Sequence, residues 1–253
     1  MLILISSPYH QTGVSTMTMS MALTYSNWIN QPALIVSIKS DDFYKNKCSV
    51  RPEFNSKFLS IVNGNTSGHG DLKTYTYKIN DLLYYYQAHS SPAASERQHE
   101  ADLKIFLERA SREFGVVFLD LDDSVGSFKK FLDISDMCFT VLPPDKMVIK
   151  KSGEAVDEVL EHYKELGGLA VKTKMFYVLN KLDGGMNKSS FCKLLKVGQR
   201  EAFTLPYDKR FILESNNNRL IQFLANTLQE QKTANDKVLQ LSFKRIYDVV
   251  RKG

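Results

Sequence analysis

Apolar residues along this chain fall into two kinds of pattern. Short, nearly unbroken runs such as LILI (2–5), ALIV (33–36), VVFL (116–119) and MCFTVL (137–142) alternate with longer stretches in which apolar positions recur every three or four residues. The first kind reads as strands buried on both faces and the second as amphipathic helices. In chain order, this predicts a strand over Leu2 to Ile5, a polar turn from Ser6 to Gly13 and a helix from Ser15 to about Trp28. Gln31-Pro32 then turns the chain into a second strand, Ala33 to Ile38. Residues 39–73 are polar and irregular, with NGNTSGHG at 63–70 as the clearest loop. Thr74 to Tyr77 reads as a short strand, and Asp81 to His89 as a helix ended by Ser90-Ser91-Pro92. Tyr84, Tyr85 and Tyr86 cannot share one face of such a helix, which divides them between core and a partner surface.

Ser95 to Phe114 has helical spacing, with Leu103, Phe106, Leu107 and Ala110 on one side, and FGVVFLDLDD (114–123) is a third buried strand ending in acids. The alternation then repeats. Strands are expected at Asp136 to Leu142, Lys174 to Leu179 and Ala202 to Leu205, and helices at Lys146 to Leu166, Ser189 to Val197, Asn218 to Gln229 and Asn235 to Arg251. Strands alternating with helices, joined by right-handed crossovers, define an α/β fold: a doubly wound, mainly parallel sheet with helices on both faces. Residues 1–253 are expected to form one domain. In such sheets ligands bind at the carboxyl ends of the strands. The loops at 6–14, 120–124 and 180–183 fall there.

Composition adds limits. With 43% hydrophobic and 24% charged residues, the chain resembles an ordinary soluble globular protein, and no apolar run approaches bilayer-spanning length. The first residues lack a basic leader and run straight into a polar loop, so they read as a buried strand and not a signal peptide. Cys48, Cys138 and Cys192 have no metal or disulfide spacing, which points to a reducing, cytoplasmic setting, and His69 in its Gly-rich loop has no partner spacing for a metal. A net charge of +5 permits contact with nucleic acid or an anionic membrane but demands neither.

The chemistry concentrates in the first loop. Strand, polar loop and helix N-terminus in succession make a phosphate cradle, whose usual pattern is G-x-x-x-x-G-K-S/T. Here Pro8 stands at the first Gly, Gly13 is kept, Val14 replaces the Lys, and Ser15 is kept. The backbone N–H groups of residues 11–16 and the helix dipole still favour an anion, the dipole by ~0.3–2 kcal/mol. No Lys or Arg occurs before Lys39, so the loop's point charge is gone. His10 and Lys39 are possible substitutes, His10 only when protonated. Asn180-Lys181-Leu182-Asp183 also matches the N-K-x-D code that reads guanine, or is a plain polar turn.

Four segments in order resemble the ParA/MinD family of P-loop ATPases over nearly the full length. SPYHQTGVSTMTMSMALTYS (7–26) is similar to its K-G-G-x-G-K-T-T loop and first helix, and FGVVFLDLDDS (114–124) to its switch strand. SDMCFTVLPPDKMVIKKS (135–152) resembles its later strand and helix, and FYVLNKLD (176–183) with FTLPYDKR (203–210) resembles its h-h-h-N-x-h-D and h-P-x-D segments. The resemblance implies a cofactor of ATP with Mg²⁺. It places phosphate contacts at His10, Gln11, Thr12, Gly13, Val14, Ser15 and Thr16, metal contacts at Ser15 and Asp120, and base contacts at Asn180 and Pro206.

The departures from the family are as informative. The loop Lys is Val14, the family's second signature Lys is Tyr9, the acid that orients the attacking water is Ser37, and the next Asp is Lys39. Losing one preorganised charge at such a site costs ~10²-fold or more in rate. The expectation is a pseudo-ATPase that holds nucleotide weakly if at all. In flavour it resembles the TadZ/CpaE-like members, without the amino-terminal receiver-like domain that many of those carry. The function implied is a dimerising scaffold or localisation factor for a pilus, secretion or conjugation machine. Its expected partners are a second copy and components of a membrane-associated assembly, with peripheral membrane contact at the inner face and DNA a lesser prospect. Two other readings stay open: an ATP-switched partition or division-positioning protein, and a nucleotide-independent regulatory adaptor. The helix at 235–252 carries Val238, Leu241, Ile246, Val249 and Val250 among Lys237, Lys244, Arg245, Arg251 and Lys252. That composition suits either membrane contact or packing on the sheet.

Overall fold

A computed structural model describes residues 1–9, 12–38, 44, 71–88, 96–121, 130–165, 173–182, 186–230 and 233–252. The strands are β1 (Leu2–Ser6), β2 (Ala33–Ser37), β3 (Tyr77–Lys78), β4 (Leu83–Gln87), β5 (Val116–Asp120), β6 (Met137–Leu142), β7 (Lys174–Leu182) and β8 (Ala202–Pro206). The helices are α1 (Val14–Ile29), α2 (Glu96–Glu113), α3 (Lys146–Glu165), α4 (Lys188–Leu195), α5 (Lys209–Asn216), α6 (Leu220–Gln229) and α7 (Ala234–Lys252). The strands form one sheet in the order β3-β4-β2-β5-β1-β6-β7-β8, with β1 central and β3 antiparallel to β4. Every other pairing is parallel.

Alternate residues of each buried strand face opposite layers. Ile3, Ile5, Ile35, Phe118 and Phe139 join one cluster with α1, α6 and α7, while Leu2, Leu4, Leu34, Val36 and Leu119 join another with α2. A third cluster seats α3 and α4, with Ile149 and Phe191 against Tyr177 and Leu179. Helix α1 lies between the sheet and α6 and α7 and is buried from Val14 to Ser26 except at the half-buried Thr16. It carries no charge. Several of its buried hydroxyls donate to helix carbonyls one turn back: Thr18 to the Val14 carbonyl at 2.9 Å, and Thr24 to the Ser20 carbonyl at 2.7 Å.

Three expectations change. Asp81 to His89 is not helical, because Leu83–Gln87 forms β4, in register with β2 from Ala33↔Leu83 to Ser37↔Gln87. Tyrosine fits a pleated surface, and period-2 alternation sends Tyr85 to the α1 layer and Tyr84 and Tyr86 to the α2 layer, against Phe114 and Phe106. Thr74 to Tyr77 is mainly a 3₁₀ turn, Leu72–Tyr75, because the Asp71 carboxylate accepts from the Lys73 N–H at 3.0 Å; only Tyr77–Lys78 is strand. Helix α5 was not anticipated from its short sequence; Asp208 starts it by accepting from the Arg210 N–H at 3.0 Å. The loop at 63–70, the helix end at 90–92, Cys48 and His69 lie outside the described residues.

In α7, Leu239, Phe243, Ile246 and Val250 face the core, Val249 is half-buried, and Val238 and Leu241 are exposed beside Lys237, Lys244 and Arg245. This helix packs on α1, α6 and β8. Among the described residues no helix is long and apolar enough to cross a membrane.

Candidate functional site

The loop after β1 leads through Ser6 and Ser7, both buried, to a turn in which the Tyr9 N–H donates to Ser7 Oγ at 3.2 Å. Thr12 Oγ1 lies 3.4 Å from the Tyr9 carbonyl. Gly13 then caps α1 in the left-handed region (φ 94°, ψ 25°), and its carbonyl accepts the first helical bond from Met17 at 2.9 Å. A Cβ on Gly13 would stand 2.5 Å from Asn180 Nδ2, so both the backbone angle and the space require glycine. Asn180 comes from β7. Its amide donates to the Thr12 carbonyl at 2.7 Å, while its Oδ1 accepts from the Lys181 N–H at 2.9 Å. The residue assigned to the base by resemblance is thus a clamp on the loop backbone in this structure. Pro206 ends β8, in register with Leu182.

The residues that replace the family's charges sit as follows. Val14 is buried and belongs to the apolar cluster, and Ser15 is buried while Thr16 is half-buried. Asp120, wholly buried at the end of β5, pairs across the sheet with Ser37 of β2 and with Ile5 of β1. Ser37 pairs in turn with Gln87 of β4. Gln87, Ser37 and Asp120 therefore form one polar row at the carboxyl ends of adjacent strands, on the layer that holds α1. His10, Gln11, Lys39 and Asp183 lie outside the described residues.

One residue was missed by sequence reasoning. Tyr44, wholly buried, donates from its hydroxyl to Asp120 Oδ2 at 2.6 Å, and the Ser15 carbonyl lies 3.4 Å from the phenol oxygen. Its ring stacks on Tyr85 with centroids 4.7 Å apart and planes 28° apart. The phenol thus bridges the first turn of α1 and the acid that ends β5. No motif marks Tyr44; it is one of two aromatics in an otherwise polar stretch, DDFYKNK (41–47), and its partner is 76 positions away.

A second polar knot lies on the far side of β8. Arg210 forks onto Asp208 and reaches Asp236 Oδ1 at 2.7 Å, with its guanidinium 5.1 Å from the Phe223 ring centroid. Asp236 also accepts from the Thr233 N–H at 2.8 Å while its own N–H donates back to Thr233 Oγ1 at 3.1 Å, a capping pair that opens α7. Burial alone would raise the Asp208 and Asp236 pKa values. The Arg210 bonds outweigh it and hold both carboxyls below their ordinary range. The Asp of the h-P-x-D segment is therefore engaged in joining the β8–α5 turn to α7.

A parallel sheet with a glycine-capped loop helix after a central first strand, and an acid ending the neighbouring strand, is the architecture of P-loop nucleotide-binding proteins. More narrowly, it is the fold of the ParA/MinD ATPases. A ParA family ATPase from Chlorobium tepidum superposes with a TM-score of 0.68 at 16% identity, covering 96% of this chain and 97% of its own. A plasmid partition protein from Borrelia burgdorferi bound to AMPPNP gives 0.69 at 15%, covering 99% and 98%. The MinC:MinD cell division complex of Aquifex aeolicus gives 0.68 at 12%, covering 98% and 95%. By sequence alone, no family model and no curated protein matches the chain.

That fold implies Mg²⁺ and a nucleotide between the loop and the switch acid. Hydrolysis there needs a cation against the phosphates, an exposed metal-facing carboxylate and an acid to orient water. In this chain the first position is a core valine, the second carboxylate is held by a phenol, and the third is a serine. Among the described residues, none of these three positions offers the group that hydrolysis calls for.

Proposed function

We propose that this chain is a catalytically impaired ParA/MinD-like protein that acts as a dimerising scaffold or localisation factor for a membrane-associated pilus, secretion or conjugation machine. The observation that carries the reading is the Tyr44 hydroxyl on Asp120, at 2.6 Å, where a hydrolysing relative needs that acid for its hydrated cation. Val14 in the apolar cluster and Ser37 opposite Asp120 support it, because each removes a charge that turnover requires. The Aquifex MinD is in complex with MinC, which supports a protein partner for this chain too. Exposed Met147 near the start of α3, and Tyr207, Ile212 and Leu213 in and before α5, follow strand ends on the loop side of the sheet and suit such a contact.

Phosphate release by the purified protein with Mg-ATP tests the reading, together with light scattering for its mass. The expected result is a dimer with no turnover above buffer. Steady turnover that disappears in Asp120→Ala would refute it, and DNA binding that requires ATP and weakens with salt would favour the ATP-switched reading instead. The Tyr44 contact also favours a second reading, a nucleotide-independent regulatory adaptor. A monomer indifferent to nucleotide would identify that case.

A further inference from the structure

Tyr44 is more than a packed ring. The cluster around it is apolar, and a phenylalanine would fill the same volume and stack on Tyr85 equally well. What tyrosine adds is a hydroxyl, and that hydroxyl is aimed at two polar groups: the fully buried Asp120 carboxylate and the carbonyl of Ser15, the residue at the metal-hydroxyl position. A carboxylate taken out of water needs a donor or a cation as partner. We propose that Tyr44 is an internal cap on the switch acid, a phenol doing the work of a hydrated divalent cation. It holds the end of β5 to the first turn of α1 and excludes Mg²⁺–nucleotide from the loop ahead of that helix. The inference deepens the reading of Asp120 as the switch acid and rests on it.

The geometry sets the size of the effect. A cation approaching Asp120 first has to break a short hydrogen bond to a charged acceptor, and the competent state is reduced by that factor, about 10- to 100-fold. Two variants separate the hydroxyl from the ring. Tyr44→Ala removes both and opens the space, whereas Tyr44→Phe keeps the stack on Tyr85 and deletes only the donor.

The probe is Mn²⁺, titrated with and without a fluorescent ATP analogue into the full chain. Wild type is expected to show no cation-dependent binding at concentrations where Tyr44→Ala binds the pair about 10- to 100-fold more tightly. The gain should vanish in Tyr44→Ala/Asp120→Asn. Tyr44→Phe should melt below wild type and recover with Mn²⁺ alone, while the wild-type melting temperature stays unchanged.

Equal affinity in wild type and Tyr44→Ala overturns the proposal, as does tight cation-dependent binding already present in wild type. Failure of both variants to fold also overturns it, since Tyr44 would then be core support and no cap. These outcomes differ from failure of the scaffold reading, which shows as steady ATP turnover by the wild-type protein.

Discussion

Replacing Gly13 by alanine should reveal whether the loop is held by Asn180. The perturbation has two parts. Alanine at φ 94° incurs the left-handed penalty of ~1–2 kcal/mol. Its Cβ, 2.5 Å from Asn180 Nδ2, also forces that amide off the Thr12 carbonyl, which costs another ~0.5–1.5 kcal/mol. Together Gly13→Ala should lose about 1.5–3.5 kcal/mol, read from urea unfolding as a lower midpoint at unchanged slope. A double-mutant cycle isolates the second part. Asn180→Ala alone should cost about 1–3 kcal/mol, because it strips the buried loop carbonyl of its donor. In that background nothing remains for the new Cβ to strike, so Gly13→Ala should cost only the backbone strain. The expected coupling is ~0.5–1.5 kcal/mol. Additivity to within ~0.3 kcal/mol would refute the clamp, because it would mean that Asn180 and the loop do not share a contact.

Two further predictions follow from the buried charges and the loop valine. Arg210→Met strands two largely buried carboxylates, and because Arg210 itself is partly exposed the loss should be moderated to about 1–3 kcal/mol at neutral pH. Asp208 and Asp236 have depressed folded-state pKa values, so their contribution is complete above the ordinary carboxylate range and lost as pH falls through the folded values. The gap between wild-type and variant melting curves should therefore close below about pH 4; a gap that widens on acidification would disprove the ion-pair account. Val14→Lys, which supplies the loop lysine of the ParA/MinD pattern that this chain resembles, should not produce an ATPase. It should destabilise the fold by roughly 1–3 kcal/mol by forcing an ammonium into the apolar cluster, and a phosphate-release assay showing turnover would overturn this assignment of Val14.

The parts of this fold that could be read from sequence share a cause. β1, β2 and β5 lie in the sheet interior, where both faces demand apolar residues, so LILI, ALIV and VVFL carry their own signature. β4 was misread because it lies towards one edge, between β2 and the two-residue β3, and its tyrosines are divided between a core face and a half-buried one. Three aromatics in succession satisfy neither the helical nor the strict strand pattern. The positions of Gly13 before α1 and of Asp120 at the end of β5 could be read because a loop glycine and a strand end are local features. Tyr44 could not. Its role arises from a contact across 76 positions, and a lone tyrosine in a polar stretch carries no periodicity to announce it. The Asn180 clamp was hidden similarly, since its partner is a backbone carbonyl 168 positions away.

The central place of β1 has a consequence for how the chain comes off the ribosome. Its neighbours, β5 and β6, are made only when residues 116–142 emerge. The outer side of α1, with Met17, Met21 and Tyr25, waits longer still, for α6 and α7 at 220–252. During synthesis residues 1–30, which hold no Asp, Glu, Lys or Arg, are thus without these partners until the later strands and helices emerge. Nascent chains of this protein should therefore bind chaperones that hold exposed apolar segments, which crosslinking of chains stalled before residue 116 would show.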